Sequence, residues 1–156
     1  MKSISELWQT YKHSKAAVTK YIAEDNLDSI VVYLNIAADA AYELSREDIA
    51  TWQLNNIGHY SIIEFKKRTD YDKRIETLDT LTNLKKKGLY LEETKLVFAE
   101  HYKILSRAES YLYKAQLLDC ELEKSERSEI IDKNILFVEW VSDFISKNKK
   151  IVKEKK

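Results

Sequence analysis

The stretch AADAAYELSREDIATWQLNNIGHYSI, residues 37–62, decides how the rest of the chain is read. Its first part closes an apolar stripe at helical spacing that begins upstream, formed by Leu27, Ile30, Val31, Leu34, Ala37, Ala38, Ala41 and Leu44. The alanines allow a neighbouring helix to approach closely, which marks this second helix as a core element packed on both sides. Ser45, with Asp48 three residues on, offers an N-terminal cap for the next helix. That third helix carries apolar residues on more than one face, so it is expected to lie centrally. Within it sits Gly58, one of two glycines in a chain without proline. A glycine inside a helix costs about 1 kcal/mol relative to alanine, so either a close helix approach or a motif that needs the bare backbone is expected there.

Working outward, Ser3 and Glu6 form a capping-box start, and Ile4, Leu7, Trp8, Tyr11, Val18 and Ile22 carry a first helix over about 4 to 24. After KKRTDYD, a fourth helix with Tyr71, Ile75, Leu78 and Leu81 is expected to end at KKKG, where Gly88 has the placement of a C-terminal cap behind three lysines. Residues 91 to about 123 give a long pattern readable as one helix or two. Ile131, Ile135, Val138, Val141 and Ile145 carry a sixth helix, widened by Phe137, Trp140 and Phe144. Almost no turn punctuation for hairpins exists. The expectation is an all-α domain of about six antiparallel helices over residues 1–146, with residues 147–156 as a basic, flexible tail.

The 156-residue chain suits a single domain with a real core. Basic and acidic residues balance at 26 each, so no global charge points to nucleic acid or membrane. The distribution is uneven: net charges are −4 over residues 1–64, +4 over 65–91, −5 over 92–146 and +5 over 147–156. The clusters Lys66, Lys67, Arg68 and Lys85, Lys86, Lys87 fall at opposite ends of an antiparallel pair in this reading, which weakens a nucleic-acid surface. Cys120 is the single cysteine, lies in the apolar sequence LLDC, and reads as a buried reduced thiol. No apolar run approaches the ~20 residues that span a bilayer, and the N-terminus lacks a leader pattern, so a soluble cytoplasmic protein is expected.

Chemistry-bearing motifs are sparse. His13, His59 and His101 sit on separate helices and no ExxH sequence occurs, so no metal or other cofactor is expected. There is no GxSxG elbow and no glycine-rich phosphate cradle, which leads to an expectation of no catalysis.

The junction quoted above resembles that between two tetratricopeptide repeats: an alanine-bearing helix, a short polar turn, then a helix with a large apolar residue, an apolar residue three further on and a small one after it. Here these are Leu54, Ile57 and Gly58. The likeness covers roughly residues 27 to 80, with Ser61 where a tyrosine is usual and no closing proline. It implies a helical array, with a six-helix bundle of another kind as the alternative, and a protein or peptide partner. It also implies that Trp52, Asn55, His59 and Ile62 line a groove, with rings for apolar side chains and an amide for the partner's backbone. The alternatives are a structural bundle oligomerising through Phe137, Trp140 and Phe144 on helix six, or an RNA- or membrane-contacting adaptor using the lysine zones.

Overall fold

The computed structural model describes the backbone of residues 2–154 and the side chains of residues 2–146, so the side chains of the basic segment 147–156 lie outside the described residues. Six helices follow in order: α1 (Ile4–Ala23), α2 (Leu27–Glu43), α3 (Glu47–Thr69), α4 (Tyr71–Thr80), α5 (Leu84–Asp119) and α6 (Glu126–Glu154). The expected all-α, six-helix array is what forms.

Local chemistry accounts for the boundaries, and in three places it differs from the sequence expectation. The Ser3 hydroxyl accepts from the Glu6 N–H at 3.1 Å and starts α1 as anticipated. Ser45 does not cap α3. It stands at φ 60° past the end of α2, and the bonds Ser45 N–H to Tyr42 O and Arg46 N–H to Ala41 O make a Schellman closure. Asp25 plays the same part after α1 at φ 52°. A chain this poor in glycine ends its first three helices with Asp25, Ser45 and Asp70 in the left-handed region.

Gly88 is not a C-cap. Helix α4 stops at Thr80, the Asn83 side chain accepts from the Lys86 N–H at 3.0 Å, and the three lysines and Gly88 belong to the first turns of α5. The lysines therefore sit at the positive end of a helix dipole. From there α5 continues unbroken for 36 residues, about 54 Å at the α-helical rise. Cys120 is exposed rather than buried: it is the residue that ends α5, where the chain turns and Arg127 Nε binds Asp119 Oδ1 at 2.6 Å.

Helix α3 is the hub. It packs against α2, α4, α5 and α6, and reaches α1 through side chains. Ala50 and Leu54 line a cleft with Ala38 and Tyr42 of α2 and Leu118 of α5, and Gly58 lies on Leu112 of α5. Gln53 turns to α1 and Asn55 to α6. Its neighbours thus fan around it in the order α1, α2, α5, α6. Where α3, α4, α5 and α6 converge, Phe65, Tyr71, Phe98, Phe137 and Phe144 form a ring cluster with centroid spacings between 5.2 and 6.2 Å. Lys66 Nζ stands 5.2 Å above Tyr71 and 4.9 Å above Phe137.

Candidate partner-binding surface

At about 100° of rotation per residue, Gln53 and Asn55 project about 200° apart on α3. Each is held by a flanking helix. Gln53 Oε1 accepts from Lys15 Nζ at 2.8 Å, and its Nε2 donates to Tyr11 Oη at 3.4 Å. Burial in this contact lowers the Lys15 pKa and raises that of Tyr11, the latter partly offset by Arg46. On the other side, Asn134 Nδ2 of α6 donates to Asn55 Oδ1 at 2.8 Å. The strip of α3 left between these two contacts is Trp52, Asn56, His59 and Ile63, at spacings of four, three and four. Its residues reach solvent to different degrees: Trp52 and Asn56 are half-buried, His59 is exposed, and Ile63 is 47% exposed.

The four residues expected to line a groove therefore separate. Trp52 and His59 lie on the open strip, and the His59 ring meets Tyr60 edge-on at 5.2 Å. Asn55, at 2% exposure, is an interhelical contact, and Ile62, at 8%, is part of the core. Helix α6 covers Asn55 through Asn134, and Ile62 is enclosed in the core cluster. Asn56 and Ile63 take their places. The sequence carried a signal for this shift, since Trp52, Asn56, His59 and Ile63 keep a cleaner helical stripe than the expected set.

The expected self-association face is also largely used within the chain. Phe137 and Phe144 are half-buried against Phe65, Tyr71 and Phe98, leaving Trp140 at 43% exposure. The charges of the first basic cluster are partnered too: Lys66 over rings, Lys67 with Asp25 at 3.4 Å, and Arg68 with Glu64 at 2.8 Å.

Two larger clefts lie elsewhere. One of about 750 Å³ runs between the α1–α2 turn and α5, where Arg107 and Asp28 pair at 2.7 Å. Another of about 970 Å³ opens between α1 and α2 beside Ile4, Leu7 and Ile36. Among the described residues no three His, Cys, Asp or Glu side chains gather to hold a metal, and no helix is long and apolar enough to cross a membrane. The chain matches no family model, no curated protein and no solved structure.

Proposed function

We propose that this chain is a non-catalytic, cytoplasmic interaction module of tetratricopeptide-like design that receives a protein segment along the open strip of α3. The observation that carries the reading is the strip itself. An indole, a carboxamide, an imidazole and an isoleucine side chain stand in one row on the most enclosed helix, between contacts that hold α1 and α6 to either side. Such a row meets a partner at low entropic cost, because α3 is fixed by packing on its other faces before any partner arrives. Trp52 and Ile63 supply apolar contact, and Asn56 and His59 supply hydrogen bonds. The likeness to tetratricopeptide arrays is supported by Gly58, whose missing side chain lets α5 pack close on α3.

Peptides selected by display against the full chain test this reading. Their affinity is expected to fall tenfold or more in a Trp52→Ala, Ile63→Ser double variant that retains the wild-type circular dichroism. Unchanged affinity in that variant would overturn it.

A further inference from the structure

Helices α2 and α5 both pack on α3, yet among the described residues no Cα of one lies within 8 Å of the other. A furrow therefore runs between them with α3 as its floor. At one end it is the polar cleft in which Asp28 and Arg107 pair across from α2 to α5. Toward the other end it forms a smaller cleft of about 310 Å³ with a different character. Ala38 of α2 and Ala50 of α3 leave the space by their small side chains, and Leu54 of α3 closes it below. Leu118 of α5, half-buried, and Tyr42 of α2, 56% exposed, stand at its sides. This cleft lies on the reverse of the open strip, since Leu54 and Asn56 project about 200° apart on α3.

Two charges border the apolar space, one from each wall. Asp39 belongs to α2, where it also borders the cleft toward α1, and Lys114 belongs to α5, one turn before Leu118. Both are exposed, and among the described residues neither has an ion-pair or hydrogen-bond partner within the chain. An apolar cleft with a few polar groups at set positions is the usual form of a small-molecule site, and this one falls at the lower limit of the roughly 300–1,000 Å³ such sites span. That size suits a molecule no larger than a single amino acid. The charges narrow the choice further. An acid without an amine would set an anion beside Asp39, and an amine without an acid would set a cation beside Lys114, whereas a zwitterion complements both.

We propose that this cleft binds a free α-amino acid with an apolar side chain the size of leucine or phenylalanine. The carboxylate is directed to Lys114, the ammonium to Asp39, and the side chain into the space between Leu54, Leu118 and Tyr42. The site is independent of the partner strip, because it uses the opposite face of α3.

Methyl NMR of the full chain, titrated with L-leucine and with L-phenylalanine, provides the test. Shifts are expected at the methyls of Ala38, Ala50, Leu54 and Leu118, with the Ile63 methyls of the strip unmoved. Affinity is expected to fall tenfold or more for N-acetyl-L-phenylalanine, which lacks the ammonium, and for L-phenylalaninamide, which lacks the carboxylate. The same loss is expected for the free amino acid in Lys114→Gln and in Asp39→Asn, both at exposed positions, while Trp52→Ala with Ile63→Ser is expected to bind as wild type does. Absence of cleft shifts with both amino acids would overturn the proposal. So would equal binding of either blocked derivative, or an unchanged affinity in the Lys114 and Asp39 variants.

Discussion

Gly58 of α3 lies directly beneath the side chain of Leu112 of α5: a methyl group built on the glycine would stand 2.6 Å from Leu112 Cγ, and Leu112 is fully buried. The bare backbone there is what lets the two longest-packed helices of the hub meet. Gly58→Ala is expected to destabilise the protein by about 1–3 kcal/mol from overpacking, outweighing the ~1 kcal/mol gained in helix propensity. Leu112→Ala is expected to cost about 2–5 kcal/mol on its own. Because the alanine methyl would occupy space vacated by Leu112, the double variant is expected to be more stable than the sum of the two losses implies, as read from urea unfolding midpoints in a double-mutant cycle.

Asn55 and Asn134 bind α3 to α6. Replacing Asn55 with Ala removes the acceptor of a part-buried donor, for an expected loss of about 1–3 kcal/mol. His59→Ala, on the exposed side, is expected to leave the unfolding midpoint within about 0.5 kcal/mol of wild type. Equal stability of the two variants would contradict the interhelical role of Asn55.

Ser45 holds a left-handed conformation at φ 60°, where glycine carries no Cβ penalty. Ser45→Gly is expected to raise stability by about 0.5–1 kcal/mol, seen as a higher thermal midpoint with unchanged helical content. A lower midpoint would contradict the Schellman closure of α2.

The Tyr113 phenol, hydrogen-bonded to the Glu139 carboxylate, has its pKa pushed up to about 12 from an ordinary 10.0. Since the folded-state value is raised, its stabilising contribution is complete below the unfolded pKa and is lost as pH rises from about 10 to about 12. Exposure of the pair keeps this contribution small. In ring-labelled protein followed by NMR, Glu139→Gln is expected to bring the Tyr113 titration back toward the ordinary value. An unmoved titration would mean that the carboxylate is not its cause.

Cys120 ends α5 in the open, so a thiol reagent is expected to label the native protein at one equivalent, at the rate of an unprotected thiol and without denaturant. Labelling that required unfolding would contradict its position.

Much of this architecture was legible from residue order. The stripes of α1, α2 and α6 follow from 3.6-residue periodicity, and the two-sided apolar pattern of α3 marked it as central, because a helix must bury whatever apolar surface it carries. The cost of Gly58 called for either a close approach or a motif needing bare backbone, and Leu112 of α5 shows which it is. What periodicity does not encode is which helix covers which flank. Asn55 and His59 are equally polar and four residues apart, yet α6 encloses the first and leaves the second in water. Phe137 and Phe144 widen an apolar arc that could serve a partner or the chain itself, and it is the arrival of α4 and α5 that turns them inward. Cys120 reads as apolar in its local run, and the end of α5 places it outside. Local sequence thus determined where helices form and how much surface each must hide. The tertiary arrangement alone decided against what each surface is hidden, since that depends on contacts between residues far apart in the chain.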